Sequence, residues 1–107
     1  MFIRIWRSDF DTARRDELQR FAEEISAPMF RRLPGCLGFV HGAAGSTWIT
    51  QTFWDSEQHI EDAEASELYQ DVVSRILGTG FLGDDQRTEV FEVTAYEPPS
   101  RPQTAST

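Results

Sequence analysis

The run TWITQTFW, residues 47–54, constrains the fold more than any other stretch of this chain. Its β-branched and aromatic side chains are those of a strand. A strand covered on one face alternates apolar and polar residues. Here both parities are bulky, with Ile49 and Phe53 on one side and Trp48 and Trp54 on the other. FIRIWR (2–7) repeats the pattern with Ile3 and Ile5 against Phe2 and Trp6, and RTEVFEVTAY (87–96) with Phe91 and Val93 against Val90 and Tyr96. A sheet built from such strands needs a cover on each face.

Helices supply the first cover. After possible N-caps in SDFDT, apolar residues fall at Leu18, Phe21, Ala22, Ile25 and Met29, which is helical spacing. Pro28 is expected to kink or break that helix near Ile25 to Ala27, and LPG (33–35) ends the segment. CLGFVHG (36–42) reads as a short strand and GAAGS as a turn. A second helix begins at DSEQ, with Asp55 as N-cap and Gln58 completing a capping box, or with Ser56 as an equally usable cap. Ile60 and Ala63 open its apolar stripe. EAS breaks it, and Ser66 caps a second piece carrying Leu68, Tyr69, Val72, Val73, Ile76 and Leu77. GTGFLGDD (78–85) reads as a glycine-rich loop before the last strand. The order predicts an α+β, ferredoxin-like βαββαβ domain over residues 1–96, with a four-stranded antiparallel sheet and both helices on one face. Residues 97–107, EPPSRPQTAST, read as a flexible tail.

The second cover has to come from outside the chain. An uncovered apolar face marks an interface, and a second copy packed sheet to sheet is the economical solution. A homodimer is expected, with Trp6 or Trp48 at its interface. The chain carries a net charge of −8, and all ten of its basic residues are arginine. Such a chain repels phosphate backbones, so nucleic acid is not an expected partner. No apolar run approaches the ~20 residues of a membrane span. The single cysteine, Cys36, rules out an internal disulfide and fits a reducing compartment. These features predict a cytoplasmic protein without a membrane partner.

LPGCLGF after the first helix, FWDSEQHI at the strand-to-helix junction and ASELYQDVV in the second helix resemble the antibiotic biosynthesis monooxygenase family of dimeric α+β barrels. TGFL followed by EVFEV resembles its last loop and strand, so the resemblance spans roughly residues 1–96. It implies the barrel fold and, more loosely, an activity. Some members oxidise phenols or anthrones with O2 and no cofactor, and others degrade haem. The haem-degrading pattern has an Asn late on strand one, a Trp in the second helix and a His further along it. The matching positions here are Arg7, Ala63 and Val73, and all three depart from it.

Metal chemistry has little to stand on. His59 has Asp55 and Asp62 within a turn, but catalytic zinc sites usually need three protein ligands. The bland reading is a solvated acidic helix face. Cys36 has no base near it in sequence and reads as a small buried hydrophobe. GTGFLG lacks the spacing and the following Lys of a phosphate loop. A pocket between sheet and helices remains, holding a small apolar or aromatic ligand. Cofactor-free oxygenation asks the protein to exclude water, stabilise an anion and accept a proton. For this the expected catalytic residues are His59 and Arg7, and the expected substrate-binding residues are Gln51, Trp54, Tyr69 and Phe81, with no metal and no cofactor. The alternative is a non-enzymatic small-molecule-binding or stress-associated dimer of the same fold.

Overall fold

Strand β1 (Phe2–Phe10) lies at the centre of a four-stranded sheet of order β2-β3-β1-β4, in a computed structural model that describes residues 1–100. The others are β2 (Cys36–Ala44), β3 (Thr47–Trp54) and β4 (Leu82–Glu92). Every neighbouring pair is antiparallel. Between β1 and β2 run a 3-10 turn (Thr12–Arg14), α1 (Arg15–Phe21), a π-helical turn (Ala22–Ser26) and α2 (Ala27–Arg32). Between β3 and β4 run α3 (Glu57–Ala65) and α4 (Glu67–Leu77). The ferredoxin-like βαββαβ expectation holds. The tail expectation falls in part on residues 101–107, outside the described residues.

Pro28 does not break the first helical segment. The Ala27 N–H donates to the Ala22 carbonyl, five residues back. That π turn widens the helix ahead of the proline, so the chain absorbs its missing N–H and its ring and continues to Arg32. At the second junction Ser56, rather than Asp55, is the cap, its hydroxyl accepting from the His59 N–H at 3.2 Å. Ser66 ends α3 and caps α4 through the Tyr69 N–H, as its position in EAS implies. The stretch read as a long glycine-rich loop is shorter. Gly80 takes the turn at φ +78°, and β4 starts at Leu82 and ends at Glu92 rather than running from 87 to 96. Pairing with Ser8 and Phe10 of β1, across a bulge, draws this polar segment into the sheet.

Register assigns the faces. Arg4 pairs with Thr52, and Trp6 with Thr50. Thr50 in turn pairs with His41, and Thr52 with Phe39. This row faces the helices, where Trp48, Thr50, Thr52 and Trp54 are all buried. Trp48 is 2% exposed, so neither it nor Trp6 belongs to an outward interface. The outer face carries Ile3, Ile5, Ile49 and Phe53, half-buried, with Val40 and Phe91 exposed beside them. The core is in two parts. Trp54, Phe30, Ile60 and Val72 anchor one, and Phe10, Leu18, Trp48 and Phe81 the other.

Candidate functional site

The two parts of the core do not meet everywhere. Between them, under α1, α2 and α4, lies a cavity of about 170 Å³. That exceeds the ~150 Å³ apolar cavity known to take a benzene ring. The mouth opens between α4 and β4, where Leu77, Gln86 and Thr88 are exposed. Along β4 every residue from 84 to 92 is exposed.

The lining is largely hydrocarbon and ring: Trp6, Trp48, Phe30, Met29 and the apolar residues of α4. Arg4 is its only charged residue, and it is 8% exposed. Its Nε and Nη2 reach Glu64 Oε2 at 3.1 Å each, and Nη2 donates to Tyr69 Oη at 2.8 Å. The guanidinium also lies 5.4 Å from the centroid of the Tyr69 ring. Tyr69 accepts from Arg4, so its own hydroxyl proton remains to be donated. Glu64 is exposed at the rim, so the positive charge of the pair is only partly offset inside the cavity.

His41 lines the opposite part of the same cavity. Its Nδ1 lies 3.1 Å from Thr50 Oγ1, and its ring sits among Phe30, Phe39 and Trp48. Burial lowers its proton affinity below that of an ordinary histidine, so the neutral ring is favoured.

Of the six residues expected at the site, Tyr69 alone lines this cavity. Arg7 is exposed on the other parity of β1 from Arg4 and Trp6, between Ile49 and Arg87. It stands on the outer face rather than at the pocket mouth. Gln51 shares that face, paired with Ile5 and Val40. Trp54 is buried in the neighbouring core cluster, its indole N–H donating to Thr52 Oγ1 at 2.7 Å. Phe81 is buried against Leu18 and Trp48, with the Arg14 guanidinium 4.4 Å from its centroid. His59 lies at the start of α3, its Nδ1 2.6 Å from Asp55 Oδ1, and its ring packs against Gly35. That contact lowers the Asp55 carboxyl below its usual range. Cys36 packs on the core, and burial pushes its thiol up. Among the described residues, no three His, Cys, Asp or Glu side chains are grouped to hold a metal ion. None of their helices is long and apolar enough to cross a membrane.

Sequence reasoning missed Arg4 and His41. The signal for Arg4 was there. It shares parity with Trp6 and Phe2, and a charge among aromatics on one strand face is a buried charge awaiting partners.

Comparison with known proteins agrees with this architecture. The chain superposes on a monooxygenase from Streptomyces coelicolor, ActVA-Orf6, solved in complex with nanaomycin D. The TM-score is 0.74 at 18% identity, covering 92% of each chain. SnoaB from Streptomyces nogalater, a cofactor-independent oxygenase, gives 0.72 at 14%, covering 92% of this chain and 97% of that one. A protein of unknown function from Nitrosomonas europaea gives 0.73 at 14%, covering 94% and 95%. At these identities the likeness establishes the fold and not the reaction. No curated protein matches the sequence. The family profile described as antibiotic biosynthesis monooxygenase matches residues 1–75, well over half of the chain, and the chain belongs to that family.

Proposed function

We propose that the protein is a cofactor-independent monooxygenase acting on a small phenol- or anthrone-like aromatic compound. The observation that carries this reading is the Arg4–Tyr69 pair, a single charge with a free hydroxyl proton in a largely apolar, ring-lined cavity. A substrate of this class is its own reductant. Loss of a proton from a CH2 beside the rings gives an enolate, which hands one electron to O2. The radical pair combines to a peroxide anion, which takes a proton back and then eliminates water from the same carbon. The overall change is CH2 + O2 → C=O + H2O. The step the protein can favour most is ionisation, by aiming fixed donors at the oxygen where charge develops. Arg4 and Tyr69 are such donors, and the apolar walls keep water from weakening them. Anthrone tests the reaction. Oxygen uptake above the protein-free rate, yielding anthraquinone and surviving a chelator, is the expected result. Tight binding with no uptake above background would leave a non-enzymatic binding protein instead.

The same reading includes a homodimer and a cytoplasmic location, the latter resting on the lone free thiol. The outer face supports the dimer. Ile3 pairs with Phe53 on one side and Phe91 on the other, and Ile5, Ile49 and Val40 extend the patch. Phe53→Asp should give a monomer by light scattering where the wild type gives a dimer. A wild-type monomer of 12.2 kDa at micromolar concentration would refute this part.

A further inference from the structure

Of the described residues that line the cavity, three are exposed: Leu77, Gln86 and Thr88. They stand at one end of it, and the Arg4–Tyr69 pair stands at the other. On the strand side, Thr88 pairs with Trp6 and Gln86 with Ser8. Ser8 is four residues beyond Arg4, which in a strand is about 13 Å. On the helix side, Leu77 is eight residues beyond Tyr69 in α4, a rise of about 12 Å. Both walls therefore put the mouth about 12 Å from the donors. The enclosed volume of about 170 Å³ limits what can lie between them. A cavity of about 150 Å³ takes one benzene ring, so this one encloses a single ring with little to spare. A fused aromatic has to leave at least one ring in the mouth. The mouth has a surface for it. Leu77 is 54% exposed and continues the stripe of Val72, Val73 and Ile76 that lines the interior. A lone exposed leucine needs no explanation, but this one forms the edge of a ring-lined cavity. Opposite it, the Gln86 amide nitrogen donates to the Gly83 carbonyl at 3.4 Å, which leaves the side-chain oxygen for another partner.

We infer that the mouth is a second ligand subsite, which holds the outer ring of a fused aromatic between Leu77 and the Gln86–Thr88 side of β4. The inference rests on the reading of the cavity as a site for an oxygenated aromatic. The inner ring seats its oxygen on Arg4 and Tyr69. The outer ring lays a face on Leu77 and turns an edge toward Gln86 and Thr88, where a polar substituent on it keeps hydrogen-bonding partners. The donor pair recognises the oxygen, and Leu77, Gln86 and Thr88 select for the length of the ring system behind it.

The probes are phenol, 2-naphthol and 2-hydroxyanthracene. Each carries one hydroxyl for Arg4 and Tyr69, and they differ only in the number of rings behind it. Affinity for the wild type should rise along the series. Leu77→Ser should weaken 2-hydroxyanthracene about fivefold, from the lost apolar contact, and should change phenol by less than about twofold, because a single ring stops short of the mouth. Arg4→Met should weaken all three by a similar factor, which separates the mouth from the donor pair. In the amide NMR spectrum of the 15N-labelled full chain, 2-hydroxyanthracene should shift the signals of Leu77, Gln86 and Thr88, and phenol should leave them in place. An equal loss for phenol and 2-hydroxyanthracene in Leu77→Ser overturns the inference, and so does no loss for either. Affinity that does not rise with ring number, absence of binding by all three probes, or mouth signals that move as far with phenol would overturn it as well. Should Leu77→Ser not fold, the wild-type spectra still decide. Failure of anthrone oxidation with the ring series intact would refute the oxygenase and leave the mouth subsite standing.

Discussion

The two histidines of this chain occupy opposite kinds of site. His41 sits inside, between strands and helices, with a hydroxyl for a neighbour and one ring nitrogen unsatisfied. His59 sits on the first turn of α3, over a third exposed, paired with Asp55 and packed on Gly35. In the sequence, His59 looked the more promising, because carboxylates surround it and the strand-to-helix junction is a common place for function. In the fold its Nδ1 is taken by Asp55 and its ring lies on Gly35. It ties the Leu33–Gly35 turn to the start of α3, an arrangement closed by the Asp55 N–H donating to the Gly35 carbonyl at 3.0 Å. His41 stands in the unremarkable run CLGFVHG, among glycines and apolar residues, and that plainness accompanies burial. Local charge marked the histidine that secures the fold, and local apolarity marked the one that faces the cavity.

The sharpest way to break this contrast is to remove the charge on the cavity side. Arg4→Met keeps much of the buried stem and loses both the donors and the cation. Anthrone-dependent oxygen uptake should fall by about 10²–10³-fold, the usual loss for a preorganised donor at a developing anion. Melting temperature should change little by comparison, because the ion-pair partner Glu64 is 43% exposed and returns to water. If uptake survives, the cavity is not where the chemistry happens.

Next in size is Gly35→Ala, on the other side of the contrast. Gly35 has φ +81°, and a Cβ there would overlap the His59 ring. Strain and overlap together should cost about 1–3 kcal/mol in chemical denaturation. The double variant Gly35→Ala with His59→Ala should recover part of that loss, since it relieves the overlap but not the backbone strain. Full recovery would mean the backbone conformation costs nothing.

A third prediction separates the two sites by pH. Burial lowers the proton affinity of His41 in the folded state, and no charged group contacts its ring. Phe30, Phe39, Trp48 and Thr50 surround it, the Arg31 guanidinium lies 5.6 Å from the centroid of the neighbouring Phe39 ring, and Arg4 lines the same cavity. Below the unfolded value of about 6.5, the unfolded chain therefore binds more protons at this residue than the folded one. Stability should be at its full level above that pH and should decline as pH falls through it. His41→Phe should flatten the decline. Asp55 behaves differently. Its folded value is lowered, first by the hydrogen bond from His59, so its contribution is present above the ordinary carboxylate range and disappears only as pH falls through the lowered value. One window lies near pH 6 and the other below about 4. A denaturation midpoint that is flat from pH 7.5 to 5 would remove the burial argument for His41.

The βαββαβ order was legible because strand and helix periods, caps and turn residues act locally. Ser66 in EAS and the run TWITQTFW fell where their chemistry required. The helix continues past Pro28 because a π turn compensates for it, and a five-residue hydrogen bond leaves no mark in residue spacing. The polar start of β4 was misread because its strand character comes from pairing with β1 and not from propensity. The site was less legible than the fold. Both faces of β1 and β3 are bulky, so parity alone did not say which one the helices cover. Arg7 was placed in the pocket on that ambiguity, and a shift of one face would have selected Arg4.

The smallest effect expected is at His59 itself. Its pair with Asp55 is close, but both side chains are well over a third exposed, at 38% and 46%. Exposed pairs contribute little, typically about 0–1 kcal/mol. In His59→Gln the Ser56 cap remains, because it uses the residue 59 backbone N–H and not the ring. Ile60 and Ala63 still bury the helix face. The flexible Gln can also turn away from Gly35. The denaturation midpoint should therefore change little, and the loss should shrink further in high salt, where exposed charges are screened. Oxygen uptake should stay within about twofold of wild type, since His59 does not line the cavity and general-base loss would instead cost about 10²-fold or more. A drop of that larger size with folding intact would make His59 the proton acceptor after all, and would mean that the cavity opens toward α3 when the substrate is bound.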